Sequence, residues 1–62
     1  MEKVRIGDLI EIVEMDGESN YNGKIGYVIM VDDVGNIHGT WGGCAIIPTV
    51  DKFKILNNDL KT

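Results

Sequence analysis

A chain of 62 residues builds one domain at most, and with one cysteine and one histidine it can form neither an internal disulfide nor a zinc knuckle. Ten acidic against six basic residues give a net charge of −4. Between Lys24 and Asp51 the only charged residues are Asp32 and Asp33, so that stretch has no row of Lys and Arg to displace counterions from a nucleic acid. So small a core favours an all-β closure or an oligomer over an open sheet.

Lys3–Ile6 reads as a short arm, after which Gly7-Asp8 opens a strand over Leu9–Met15. Ile10 and Ile12 alternate with Glu11 and Glu14, one face in and one out. Val13 breaks the alternation, and a bulge there restores the phase at Met15. Asp16–Asn22 is a loop by composition, and Gly23 and Gly26, three apart, suit a sharply bent strand entry. Tyr27–Asp32 is the second strand, and Asp33-Val34-Gly35-Asn36 the turn of a hairpin in which Gly35 takes positive φ. Pairing across that turn sets Asp32 opposite Ile37, Met30 opposite Gly39 and Val28 opposite Trp41, with Val31–His38 and Ile29–Thr40 on the other face.

Gly42-Gly43 reads as a second hairpin turn and Cys44–Ile47 as a fourth strand, ended by Pro48. Pro48–Asp51 makes one 3₁₀ turn, and Phe53–Leu56 is the last strand, with Phe53 and Ile55 inward and Lys52 and Lys54 outward. Asn57–Thr62 is a polar tail. The expected core is Ile10, Ile12, Val28, Ile37, Ile47, Phe53 and Ile55, with Trp41 assigned to it by the hairpin pairing and Gly39 leaving room for close packing. Five short strands, a long first loop, tight hairpins and a 3₁₀ turn before the last strand have the order of an all-β, five-stranded SH3-like barrel over residues 7–56 of a single domain, 1–62.

The segments Gly7-Asp8-Leu9-Ile10, Gly23-Lys24-Ile25-Gly26-Tyr27-Val28, the Asp33-x-Gly35-x-Ile37-His38-x-x-Trp41 hairpin and Ile47-Pro48-x-Val50-Asp51-x-Phe53 carry a resemblance. Over about Gly7 to Leu56 the chain resembles an uncharacterised family known as domain of unknown function 4314. The resemblance implies an SH3-like fold and an origin in phages or in Gram-positive bacteria and their prophages. It implies no activity and no site residues. The family's usual first loop is longer and contains proline, its turn after the tryptophan is usually Asp-Asn-Gly where Gly42-Gly43 stands here, and positions 27 and 29 are often polar where this chain has Tyr27 and Ile29.

Few residues invite chemistry. In the expected register Cys44 faces Trp41, so it lies about 10 Å along the strand from His38, too far for a thiol–imidazole pair. A small half-buried thiol and a surface imidazole are the plain readings. Asp16, Glu18, Asp32 and Asp33 would form a cation site only if the first loop folded over the hairpin turn, and EF-hand spacing is absent. No catalytic residue, metal ligand or cofactor is expected.

Binding is the better use of this surface. The outer stripe Tyr27, Ile29 and Val31, with Thr40 beside it and His38 on its rim, has no charge to blunt it, which marks an interface. Trp41 is either core or, with Tyr21 of the first loop, one wall of an aromatic groove. The function expected is a non-catalytic binding module, phage or mobile-element encoded, docking on a host protein or on its own copy, with counter-defence a natural use. An alternative is an oligomeric sponge for a nucleotide-like small molecule. Nucleic-acid binding is disfavoured by the charge map, though Lys3, Arg5, Lys24, Lys52 and Lys54 could cluster in space. Met1-Glu2-Lys3-Val4-Arg5-Ile6 is too short and too charged for an export signal, and no run is long enough to span a membrane, so a cytoplasmic location is expected.

Overall fold

In the computed structural model, residues 4–56 are described; Lys3 and the expected tail at 57–62 lie outside them. Four strands, β1 (Leu9–Glu14), β2 (Ile25–Val31), β3 (Ile37–Gly39) and β4 (Lys52–Ile55), form one antiparallel, open sheet in the order β3-β2-β1-β4. β2 is the strand that both neighbours share. Its first half pairs with β1, Ile25 opposite Glu11, Gly26 opposite Ile10 and Tyr27 opposite Leu9. Its second half pairs with β3, Val28 opposite Gly39 and Val31 opposite Ile37.

Strand alternation and the loss of water from apolar area build the inner layer. Ile10, Ile12, Met15, Val28, Ile37, Trp41, Ile46 and Ile55 are buried in one cluster, with Val4, Tyr21, Cys44 and Phe53 packed partly buried against it. The bulge expected at Val13 is present, since the β1–β4 register shifts between Ile12 and Glu14, and it turns Met15 inward. Trp41 lies against two glycines. A Cβ on Gly39 would overlap the six-membered ring of the indole, and one on Gly26 would come within 2.6 Å of Thr40 Oγ1 and 3.2 Å of Trp41 Cε3. Glycine at both places is what lets the indole reach the sheet backbone.

The structure corrects four expectations. The run Cys44–Ile47 is not a strand: only Ile46 joins the sheet, through a single bridge to Ile37 with N···O distances of 2.8 and 2.9 Å. The ladder stops there because the neighbouring groups are already engaged. Trp41 Nε1–H donates to Cys44 O at 2.8 Å, and Ile47 N–H donates to Asp51 Oδ2 at 2.8 Å. The described residues therefore hold four strands, not five. As the partner of Ile37, Ile46 shares its inward direction, so Ile46 is buried while Ile47 is 42% exposed, a shift of one residue from the expected core. Phe53 sits on the sheet's edge strand and is half-buried rather than enclosed.

The third correction is the hairpin register. Asp32 opens a wider turn, with Asp32 N–H donating to Asn36 O and Gly35 N–H to Asp32 O, both at 3.0 Å. Gly35 takes a φ of +90° there, where a side chain would be strained. Val31 then faces Ile37, Met30 faces His38 and Val28 faces Gly39, with a bulge at Ile29. The fourth concerns short helical turns. Residues 47–51 make one turn closed on Ile47 O by Val50 N–H at 2.9 Å and Asp51 N–H at 2.8 Å, while a 3₁₀ turn lies in the first loop, at Ser19–Tyr21. Among the described residues no helix is long and apolar enough to cross a membrane.

Candidate functional site

The outer face of β2 is the surface the inner layer leaves over. Strand alternation points Ile25, Tyr27 and Ile29 away from Gly26 and Val28, and they are 55, 55 and 59% exposed. The bulge at Ile29 then reverses the phase. Met30, opposite half-buried His38, is 46% exposed, and Val31, opposite buried Ile37, takes the inward phase but lies at the open edge of the core and is still 39% exposed. The stripe is thus Ile25, Tyr27, Ile29 and Met30. Thr40 fixes the middle of it: Tyr27 N–H donates to Thr40 Oγ1 and Thr40 N–H donates to Tyr27 O, each at 3.0 Å.

Of the residues singled out from the sequence, Tyr27 and Ile29 stand on this face, with His38 and Thr40 beside them on or next to β3. Val31 is out of the row, and Trp41, 5% exposed, belongs to the core. Tyr21 does not lie over the stripe. It packs on the loop after Trp41, where a Cβ on Gly42 would meet its hydroxyl at 2.8 Å, and a hydrogen bond with the Cys44 side chain pushes the phenol pKa above its ordinary value. Lys24 Nζ stands 5.5 Å from the centre of the same ring, within cation–π range. Ile25 and Met30 were missed. Met30 reaches the face only through a bulge, and alternating apolar residues do not announce one.

His38, Asp32 and Cys44 are each engaged by a neighbour. His38 Nε2–H donates to Asp32 Oδ2 at 2.9 Å, while the Cys44 thiol is beside Tyr21, so the histidine and the cysteine have different partners. Asp32 also accepts from Asn36 N–H at 2.9 Å and Val34 N–H at 3.1 Å. The His38 hydrogen bond, then the backbone amides, lower its pKa from the ordinary value. Among the described residues no group of three or more His, Cys, Asp or Glu side chains could hold a metal ion, so Asp16 and Glu18 do not join Asp32 and Asp33 in such a site.

One buried carboxylate was overlooked in the sequence. Asp51 is 6% exposed; its Oδ1 accepts from Asp16 N–H and its Oδ2 from Ile47 N–H, both at 2.8 Å. It pins the first loop to the turn before β4, a structural role, and both of its oxygens are satisfied.

A small all-β domain with a packed inner layer and one bare apolar outer stripe is the class of protein these features define. More narrowly, residues 2–56 match the family described as Domain of unknown function (DUF4314), and the chain belongs to that family. Comparison with curated proteins found no match, and comparison with solved structures found none.

Proposed function

We propose that this protein is a non-catalytic binding module of SH3-like architecture that docks on another protein surface through the outer face of β2. The observation that carries the reading is the bare stripe Ile25, Tyr27, Ile29 and Met30, each about half exposed or more and none charged. The SH3-like part is supported by a β2 shared between β1 and β3, a last strand that returns to β1, and a single turn at residues 47–51 before it. Phage or mobile-element origin, with a host protein or a second copy as the partner, is the setting that suits so small an acidic module.

Ile29→Lys tests the docking face, because it places a charge in the stripe while Val28 and Gly39 beneath are untouched. Wild type and variant are compared by sedimentation, alone and in host lysate, and by lysate capture with mass spectrometry. The variant is expected to lose whatever association the wild type shows and to keep the wild-type circular dichroism spectrum. If a wild-type association survives the substitution, the docking face lies elsewhere; if the wild type associates with nothing in any arm, the docking reading fails.

A further inference from the structure

We infer that the occupant of the β2 face is a second copy of this chain, in a two-fold dimer that sets Ile25, Tyr27, Ile29 and Met30 against the same residues of the partner. This rests on the docking reading above and names what docks. Three observations carry it.

The first is charge. In a two-fold interface the same patch meets itself, so a patch bearing one sign of charge repels. A chain of net charge −4 therefore self-associates best through a surface with no charge of its own. β2, IGYVIMV, is such a surface. The outer face across β1 and β4 is not: it carries Glu11, Glu14, Lys52 and Lys54.

The second is what bounds the strand. Asp32 and Asp33 follow β2, whereas Lys24 before it holds its Nζ over the Tyr21 ring, off the stripe. Stacked antiparallel on its copy, each β2 keeps its acidic end away from that of the other. Parallel stacking would set like against like. Two twisted sheets packed face to face keep their strands within about 30° of alignment, so the ends stay in register over a strand this short.

The third is area. At ordinary side-chain sizes the four stripe residues leave roughly 450 Å² uncovered per copy. With the rim of Leu9 opposite Tyr27, and of His38 and Thr40, two copies together bury about 1,000 Å², where specific interfaces begin. Tyr27, a rigid aromatic whose backbone Thr40 holds on both sides, is the natural central anchor.

Sedimentation equilibrium of the purified chain decides it. Wild type is expected to be a dimer at micromolar concentration, and Ile29→Lys to weaken the dimer about a hundredfold or more. Tyr27→Glu, which changes a second outward side chain, is expected to do the same and stands in if Ile29→Lys does not fold. Circular dichroism verifies the fold of each. A wild type that stays monomeric at high micromolar concentration overturns the dimer, as does a dimer that persists in a folded variant. The two failures separate cleanly. A monomeric wild type that captures a host protein, with capture lost in Ile29→Lys, removes the dimer and leaves the docking face standing. A monomer whose capture is unchanged by the substitution removes both.

Discussion

The outer face of this sheet is two surfaces in one. Across β1 and β4 it is laced with charge: Glu11 stands opposite Lys54, and Glu14 opposite Lys52 with 3.8 Å between the charged groups. Across β2 it is bare, with Ile25, Tyr27, Ile29 and Met30 turned to water. The inner layer does not distinguish the halves, since Ile10, Ile12 and Ile55 are as deeply set beneath the charged half as Val28 and Ile37 beneath the apolar one. The contrast therefore owes nothing to the core. Lysines on an edge strand discourage another chain from pairing with it, and β4, at the edge, carries two. The same small chain guards its β4 edge with charge, carries no lysine on its β3 edge, and leaves the face of β2 bare, the pattern that the proposed docking face calls for.

That comparison requires stability to reside in the shared inner layer, so the sharpest way to break it is from within. Trp41→Ala removes the indole that lies on Gly26 and Gly39, at an expected cost of about 3–5 kcal/mol. A domain this small has about 3–9 kcal/mol in total, so the variant should lose a large share of its stability, and both halves should weaken together. Urea denaturation followed by circular dichroism measures this; a melt close to wild type would show that the indole is not a keystone. Asp51→Asn comes next. It exchanges one of two accepting oxygens for an NH₂ group facing a backbone donor, either Asp16 N–H or Ile47 N–H, at about 1–3 kcal/mol in the same assay. Changes on the outer face should be far smaller for the fold. Lys52→Ala, which removes one partner of the exposed pair with Glu14, is expected to cost about 0–1 kcal/mol by thermal melt.

Much of the layout was legible because it follows from local rules. Alternation placed Ile10 and Ile12 inside and Tyr27 and Ile29 outside, the broken alternation at Val13 announced its bulge, and Gly35 marked the turn. The misreadings share a cause: backbone groups satisfied by side chains far from simple pairing. Cys44–Ile47 has a strand's composition, but Cys44 O is engaged by the Trp41 indole and Ile47 N–H by the Asp51 carboxylate, so one bridge survives and Ile46 replaces Ile47 in the core. The hairpin register slipped because the Asp32 carboxylate organises its own turn, and the Ile29 bulge that brings Met30 onto the stripe compensates further along. The candidate face was legible as apolar; its membership depended on that bulge.

The smallest effect lies at the tip, where both strands of the apolar half meet. Asp32 accepts from His38 Nε2–H, Asn36 N–H and Val34 N–H, and these contacts stabilise its ionised form, His38 most of all. Its pKa in the folded chain is therefore depressed from the ordinary 3.8. The unfolded state binds the proton more readily, so the contribution of this carboxylate to stability is complete above the ordinary value. It is lost as pH falls through the depressed folded value. The predicted window thus lies in strong acid, and nothing in it should disturb the turn near neutrality. Amide chemical shifts of Val34 and Asn36, followed by NMR from neutral pH downward, should titrate with a midpoint below 3.8, and Asp32→Asn should abolish that step while leaving β2 and β3 paired. A midpoint at or above 3.8 would mean that the His38 contact does not hold the ionised carboxylate in solution. The rim of the stripe beside Met30 would then be looser than the rest of the face.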